Sequence, residues 1–438
     1  MALGVVIEPE RRVPVAHEAD VVVLGGGPSG LAAAVAASRH GARTLLVERY
    51  GFLGGNCTAA MVTNFCGLHA NVHGEFRQVV HGLADEMLER LERLGGLNTP
   101  HVVFGRIQAQ AYDVAAFKCA ADDMLLGAGV TLRLHSLAAG VAMADRRIDA
   151  LLVETKSGRQ AIRGRVFIDC SGDADLAAWA GAPFEKGPAM AFPTHMFRMG
   201  AVDGAAALAA RPQIRALMEQ AEKDDAFRFA RHTPIVAPQK RNSEWRCNVT
   251  QIARDGRAAD GSEVDDLIHA EIEGRRQIRD YAAFLKARVP GFADSYLLEI
   301  APQVGIRETR RIVGAYQVTG DDVLGARDFA DGVGVNGWPM ERHVAGDVAW
   351  GWIEGRGYHQ VPYRCLVPQG VDNLLVAGRC ASLTSEGQSS VRVSGPCFVM
   401  GQAAGTAAAL TLAAGVAPAA VDVAALQAAL RADGAWLG

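Results

Sequence analysis

The sequence lacks the features that mark membrane and nucleic-acid-binding proteins. No charge-free apolar stretch of about 18 residues stands clear of the alanine-rich helices, so we expect no membrane span. No basic run stands out and the formal net charge is -4, which offers no electrostatic footprint for DNA or RNA. The expected partner is therefore a small molecule, neutral or acidic.

Cysteine is too sparse for a disulfide scaffold. The chain has 8 cysteines in 438 residues and no CxxC pair. The arginine pair Arg11 and Arg12 is not followed by the apolar run of an export signal, so residues before Asp20 are interpreted as an arm ahead of the first strand. A reducing, cytoplasmic location fits this pattern.

The most informative stretch runs from Asp20 to Glu48 and reads DVVVLGGGPSGLAAAVAASRHGARTLLVE. It has the order strand, glycine turn, helix, strand, acid. Gly25 permits the tight turn, Gly27 lets main-chain amides approach a pyrophosphate, and Gly30 lets the helix lie close to the strand. Glu48 has the spacing of the acid that accepts hydrogen bonds from a ribose. This stretch predicts a dinucleotide site at a helix N-terminus, which favours anions, and we include Pro28 and Ser29 in it.

A small-residue helix near the C-terminus, SGPCFVMGQAAGTAAAL, is the second candidate part of the site. Ser394 is predicted as its N-cap, and Pro396 is tolerated in the first turn. Gly401 and Gly405 remove side chains from one face, so another element can pack closely. The positive end of this helix would stabilise negative charge on a reduced flavin. The alternative is a buried alanine helix with a good cap.

The order of patterns predicts an α/β protein with two domains. A Rossmann-like domain with a parallel sheet and an antiparallel insertion is assigned to residues 1–182 and 335–438. Composition changes between 183 and 334, which we assign to a second, α+β, substrate-covering domain. Helices are predicted over 75–94, after the N-cap Asp113, over 205–230 and over 263–288.

Three segments resemble signatures of bacterial FAD-dependent oxidoreductases with the glutathione-reductase-type FAD-binding fold. They are GGGPSG to GFLGGNC near the N-terminus, FIDCSGDADLAAWAG in the middle, and the long stretch from VPYRCLVPQG to GQAAGTAAAL near the C-terminus. They occur in the family's order. The resemblance implies FAD, a hydride-transferring flavin and a variable substrate cap.

The resemblance also implies further cofactor-binding residues. Those along the diphosphate and ribityl chain would be Arg49, Gly54, Gly55, Asn56 and Cys57. Gly172 belongs to the middle motif, and Gly378 and Arg379 would lie beside the ribityl end. Ser385 stands where many relatives carry histidine, so no family histidine base is assumed.

Candidate catalytic residues come from the C-terminal half. Arg392 and Glu386 lie between Arg379 and the small-residue helix, while His359 and Tyr363 precede the last parallel strand. Arg392 would hold a carboxylate or a hydroxyl group. The alternatives are an Arg392–Glu386 ion pair and a packed histidine. Arg307 or Arg310 would face an anionic substrate or form ion pairs at a domain seam.

The cysteine and histidine spacings offer two further alternatives. Cys57 and Cys66 are too far apart for the redox pair of disulfide reductases, so a loop thiol beside the flavin is the preferred interpretation, ahead of a redox couple or a covalent flavin link. Cys66, His69 and His73 have a ligand-like spacing, but their glycine-rich setting is typical of a loop, and no metal is predicted.

No second GxGxxG follows a strand and opens a helix, so a separate NAD(P)H domain is not expected. Electrons then come from the substrate. The first hypothesis is a dehydrogenase or oxidase that removes hydride from a CH–OH or CH–NH group and is reoxidised by oxygen or a redox protein. The alternatives are a flavin monooxygenase, an NAD(P)H-fed reductase of unsaturated bonds, and a flavin-binding subunit reduced by a protein partner. A homo-oligomer is left open.

Overall fold

The computed structural model describes residues 4–438. Its helices, in chain order, are α1 Pro28–Arg39, α2 Leu83–Arg93, α3 Val114–Gly127, α4 Asp175–Trp179, α5 Gly204–Ala210, α6 Ile214–Lys223, α7 Val264–Arg288, α8 Gly320–Leu324, α9 Ser385–Val391, α10 Ser394–Ala414 and α11 Val423–Ala432. The strands of the first half are β1 Val15–Leu24, β2 Thr44–Val47, β3 Asn64–Cys66, β4 His69–Val72, β5 Glu75–Gln78, β6 His101–Val103, β7 Ile107–Ala111, β8 Thr131–Arg133, β9 Leu137–Ala144, β10 Arg147–Thr155 and β11 Gly158–Asp169. Those that follow are β12 Phe184–Glu185, β13 Phe197–Gly200, β14 Ile235–Pro238, β15 Trp245–Asn248, β16 Ala253–Arg254, β17 Arg257–Ala258, β18 Tyr296–Ile300, β19 Arg311–Ile312, β20 Gly332–Asn336, β21 Met340–Val344, β22 Asp347–Gly351, β23 His359–Pro362 and β24 Leu374–Val376.

A seven-stranded sheet organises the molecule. Strands β8, β2, β1, β11 and β24 run parallel, and β10 and β9 continue the sheet antiparallel from the first half of β11. Residues 21–24 and all of β2 are buried, as in parallel strands covered on both faces. The predicted α/β class, the parallel sheet and its antiparallel insertion are confirmed.

Helices α1 and α10 pack against each other on one face of this sheet. A Cβ at Gly401 would overlap the main-chain oxygen of Ser29, and one at Gly405 would overlap that of Ala33. The two helices therefore touch backbone to backbone. The predicted close-packing face of α10 is confirmed, and its packing brings the start of α10 beside the first glycine turn.

Three local predictions are corrected. Residues 75–94 are not one helix, because 75–78 form a strand paired with β4 and the helix begins only at Leu83, after Gly82 with φ of 76°. Residues 205–230 form two helices interrupted at Pro212, whose ring removes a main-chain donor. Ser394 is the first residue of α10 and Val393 its N-cap.

The stretch between β12 and β20 builds a second hydrophobic core. A four-stranded antiparallel sheet, β14-β15-β13-β18, packs with α5, α6 and α7, and the members of this core range from Phe197 to Phe292. The division at 183 and 334 stays a proposal, since Ile312, Val318 and Val333 pack in the cores of the main sheet. Helix α10 is long and apolar enough to cross a membrane, but 72% of its most apolar window is buried inside the protein.

Candidate functional site

A cavity of about 840 Å³ lies at the carboxyl ends of the parallel strands and extends to strands β14, β15 and β21. This edge of an open α/β sheet is where ligands bind. Its walls come from the first glycine turn, the loops after β2, β11 and β24, the start of α10, and the strands β14, β15 and β21. The volume is at the upper end of the usual range for ligand pockets, about 300–1,000 Å³.

The first glycine turn leaves open space for a ligand. Gly25 has φ of 98°, and a Cβ there would overlap the main chain of Cys170. A Cβ at Gly30 would overlap the oxygen of Gly25, so this glycine sets the approach of α1 to β1. At Gly27, in contrast, the nearest heavy atom would be 3.9 Å away. Since α1 carries no acidic residue in its first turn, this opening suits an anion.

Glu48 ends β2 and is buried in the cavity wall. Its Oε2 accepts a hydrogen bond from the Gly26 N–H at 2.8 Å, and its Oε1 accepts one from the Tyr50 N–H at 3.1 Å. An ionised carboxylate has about four acceptor sites. Glu48 therefore braces the glycine turn and still has acceptor capacity for two ribose hydroxyl groups.

The loop after β2 forms the next section of wall. Gly54 and Gly55 both have positive φ, 112° and 51°, and the Gly54 N–H donates to the Gly26 oxygen at 2.7 Å. The Asn56 Nδ2 donates to the Ile306 oxygen at 2.9 Å. These bonds tie the loop to the first glycine turn and to the segment between β18 and β19.

Arg379 joins three segments around the cavity. Its Nε donates to the Gly172 oxygen at 2.8 Å, its Nη2 to Asp173 at 2.7 Å, and its Nη1 to the Ile306 oxygen. Gly378, with φ of 95°, lies so close to Ser29 that a Cβ would meet its Oγ at 2.5 Å. The middle motif and the last parallel strand are thereby held against α1.

The start of α10 completes the wall. The Ser394 hydroxyl accepts from the Cys66 N–H at 3.0 Å rather than capping α10. Pro396 lies behind, where it would meet a Cβ at Gly67 at 2.9 Å. The first-turn amides of α10 therefore have no side-chain cap and stay available to a ligand in the cavity.

Twelve of the predicted cofactor-binding residues line the cavity: Gly25, Gly27, Pro28, Ser29, Glu48, Arg49, Gly55, Asn56, Cys57, Gly172, Gly378 and Arg379. The other three, Gly30, Gly54 and Pro396, support the wall through the packing just described. Burial raises the pKa of the Cys57 thiol to about 12 and also raises that of Cys66, so neither thiol is readily ionised. Within residues 4–438 no group of three or more His, Cys, Asp or Glu side chains is arranged to hold a metal ion.

Three of the four predicted catalytic residues lie away from the cavity, which corrects the sequence-based assignment. Glu386 is exposed on α9 and packs beside Gly320. His359 is fully buried, with Nε2 facing Asn336 at 3.0 Å and Nδ1 facing the Gln360 oxygen at 2.9 Å. The Tyr363 hydroxyl donates to the Pro418 oxygen at 2.9 Å. Their closeness in sequence to Gly378 and α10 does not bring them to the site, because the intervening turns direct them outward or into the core.

Arg392 does line the cavity. Its Nη2 donates to the main-chain oxygen of Glu341 at 3.3 Å, and its Nε is buried without a partner. The alternative ion pair with Glu386 is thus replaced by a contact to β21. Arg310 is engaged with Asp173 and Asp175, which fits the ion-pair alternative, while Arg307 reaches the cavity wall.

Sequence reasoning missed a polar group on β15 and β21. Arg246 comes from β15, and Glu341 and His343 come from β21, beside Trp338. Glu341 accepts from Trp338 Nε1 at 3.0 Å and from His343 Nε2 at 3.1 Å. The alternation Glu341, Arg342, His343 placed two polar side chains on one face of a strand, and that spacing was the available signal.

The charges in this group and its burial decide the protonation states of Glu341 and His343. Burial alone would raise the pKa of Glu341, but the hydrogen bond from His343 and the charges of Arg392 and Arg307 lower it to about 2. Burial and Arg307 hold the pKa of His343 well below its ordinary value. Glu341 is therefore ionised and His343 neutral at pH 7. With Nε2–H donated to Glu341, the unpartnered Nδ1 of His343 is left as a hydrogen-bond acceptor.

These features together fit FAD: an opening for a pyrophosphate at a helix N-terminus, a buried acid at the end of the second strand, and an uncapped helix start at the far side of one long cavity. The fold and site define a flavoprotein with a Rossmann-type FAD-binding domain.

A family model described as FAD dependent oxidoreductase matches residues 20–430. The chain belongs to this family, its cofactor is FAD, and it is an enzyme. The predicted resemblance is confirmed.

Individual relatives match less of the chain. A soluble pyridine nucleotide transhydrogenase of Chromohalobacter salexigens is 52% identical over 42 residues, 10% of this chain and 9% of the relative. A dihydrolipoyl dehydrogenase of Trypanosoma brucei brucei is 49% identical over 47 residues, 11% of this chain and 10% of the relative. The chain thus matches only about a tenth of the length of these curated relatives.

Among solved structures, a geranylgeranyl bacteriochlorophyll reductase-like protein from Thermoplasma acidophilum aligns over 95% of this chain and 83% of its own, with a TM-score of 0.50 and 13% identity. This likeness shows the fold alone.

Proposed function

We propose that this enzyme removes hydride from a CH–OH or CH–NH group of a small organic substrate bound at the inner end of the cavity. The observation that carries the proposal is that the cavity lined by the FAD-binding loops is also lined by a polar group from other segments, Arg246, Arg307, Arg392, Glu341 and His343. FAD supplies the hydride acceptor when it is bound. A cytoplasmic enzyme reoxidised by oxygen or by a redox protein is part of this proposal.

Three residues at the inner end of the cavity have separate roles in the proposed reaction. Arg392, with a buried Nε that has no partner, would orient the substrate through a charged hydrogen bond. His343 would take the proton of the O–H or N–H group at Nδ1 while Glu341 holds its ring. A His343→Gln variant that keeps FAD and is reduced at the unaltered rate would exclude this proton-acceptor role.

The proposal is tested by reducing the FAD-loaded enzyme without oxygen. We expect some alcohols, hydroxy acids or amines to bleach the flavin absorption near 450 nm, roughly the usual flavin band, with no NAD(P)H present. Fast bleaching by NADPH alone would overturn the proposal in favour of a monooxygenase or a reductase. Bleaching by a reduced protein partner only would instead indicate a flavin-binding subunit.

Arg392→Ala is expected to retain FAD and to slow reduction by the substrate by at least about tenfold, because one charged contact of roughly 1.4 kcal/mol or more is lost. Stopped-flow absorbance measures the rate and the protein's flavin-to-protein ratio measures retention. Arg342→Ala is the matched control, since Arg342 is exposed on the same β21 hairpin. Reduction of Arg392→Ala at the wild-type rate, with FAD fully bound, would leave Arg392 a structural role only.

A further inference from the structure

The inner end of the cavity concentrates positive charge that the protein itself balances only in part. We define the arginine cluster as Arg246, Arg307 and Arg392, all of which line the cavity. Arg246 and Arg307 are only 2% and 7% exposed. Burial lowers the pKa of Arg307 most, and the charges of Arg231, Arg392 and Arg246 lower it further. Three guanidinium groups therefore share the wall of one cavity.

One carboxylate of the wall offsets part of this charge. Glu341 is ionised beside Arg392 and Arg307, and it also accepts hydrogen bonds from Trp338 and His343. The other carboxylates of the wall are held elsewhere: Glu48 by the amides of Gly26 and Tyr50, Asp173 by Arg379, Asp175 by Arg310 and Glu271 by Arg275. Buried charge without a partner is costly, so the cluster is built to receive an anion.

Two donor groups of the cluster have no partner. Arg246 donates from Nη1 to the Val62 oxygen at 2.8 Å and from Nη2 to the side-chain oxygen of Asn64 at 2.8 Å, but its Nε is buried without a partner, as is the Nε of Arg392. Arg307 is fixed in place by the Phe192 oxygen, by Thr194 and by Asn248 at 3.2 Å. Planar guanidinium donors that are fixed in advance match a carboxylate well.

The wall next to the cluster is apolar and aromatic. Trp350 lies 6.2 Å from the ring of Trp338 and 5.4 Å from that of Phe104. Trp338 is buried, Trp350 is half-buried and Phe104 is 57% exposed, so the three rings lead from the solvent toward the interior. Val102, Leu208 and Ile235 extend this surface.

We infer that the substrate of this enzyme is a carboxylic acid with an apolar or aromatic body, whose carboxylate is bound by the arginine cluster and whose body lies along Trp338, Trp350 and Phe104. This inference narrows the substrate class of the proposed function, and the claim that the bound acid is a substrate rests on that function. The binding site itself is inferred only from the arrangement of the arginine side chains and the aromatic rings.

The test compares acids with their neutral amides on the FAD-loaded protein. Isothermal titration calorimetry with phenylacetate, phenylacetamide and acetate should show phenylacetate binding at least about tenfold more tightly than either of the others. Arg246→Met should retain FAD and lose the preference for the acid over the amide. Arg241→Met is the matched control, because Arg241 is exposed and close in sequence, and it should bind like the wild type.

A second variant keeps the inference testable if Arg246→Met does not fold. Phe104→Ala, at an exposed ring, should weaken phenylacetate at least about threefold and leave acetate unaltered. Equal binding of the acid and the amide to the wild type, an unchanged preference in Arg246→Met, or loss of FAD from Arg246→Met in a folded protein would overturn the inference. Loss of FAD would mean that the cluster serves the flavin.

The two proposals fail separately. If carboxylates bind in an Arg246-dependent way but no compound of this class reduces the flavin, the proposed reaction is wrong and the site stands. If a neutral alcohol or amine reduces the flavin and phenylacetate does not bind, the reaction stands and the site is wrong.

Discussion

Glu48→Arg is expected to give a purified protein with little or no bound FAD. The substitution removes the carboxylate that would accept hydrogen bonds from the ribose. It also puts a cation where this carboxylate now accepts hydrogen bonds from the N–H groups of Gly26 and Tyr50. An unpaired charge in a buried position costs several kcal/mol, and about 2.8 kcal/mol already lowers affinity a hundredfold. The ratio of flavin absorbance to protein absorbance measures the result.

The matched control for this substitution is Glu89→Arg, which makes the same change of charge at an exposed position of α2. It should purify with full flavin. Circular dichroism and thermal unfolding of Glu48→Arg show whether the chain is still folded. A yellow Glu48→Arg protein at full occupancy would contradict the role assigned to this acid.

Gly401→Val is expected to cause the largest loss of stability. Its Cβ would overlap the main-chain oxygen of Ser29, where α10 touches α1, and a main-chain atom cannot move aside as a side chain can. Overpacking in a core costs about 1–3 kcal/mol and occasionally more, and we expect about 3 kcal/mol or more here. The melting temperature of the flavin-free protein measures this.

Ala413→Val is the control for Gly401→Val, because Ala413 is exposed near the end of the same helix. It adds the same β-branched side chain without a clash and should unfold near the wild-type temperature. A Gly401→Val variant as stable as this control would contradict the backbone contact of the two helices. Flavin release should accompany the loss of stability, since α1 and α10 both begin at the cavity.

The FAD-binding half of the molecule could be predicted from the sequence because its determinants are local. Gly25, Gly27 and Gly30 lie where one strand turns into one helix, and Glu48 follows the next strand. Their spacing in the sequence therefore predicts the geometry of the site. The antiparallel insertion, in which β9 and β10 pair next to β11, was also predicted, because these strands follow one another in the chain. In each case the residues that act together are neighbours in the chain.

The substrate end could be predicted only in part, because its members come from distant segments. Arg392 was assigned from the sequence and Arg307 was one of two candidates, whereas Arg246, Glu341 and His343 were missed. Only the tertiary structure places all five on the wall of one cavity. His359 and Tyr363, which are close in sequence to Gly378, are directed into the core instead.

By itself the sequence determined the flavin fold and family, since motif spacing encodes local geometry. Only the tertiary structure decided which charged side chains share a cavity wall, because that depends on how distant segments such as β15 and β21 are placed relative to the main sheet.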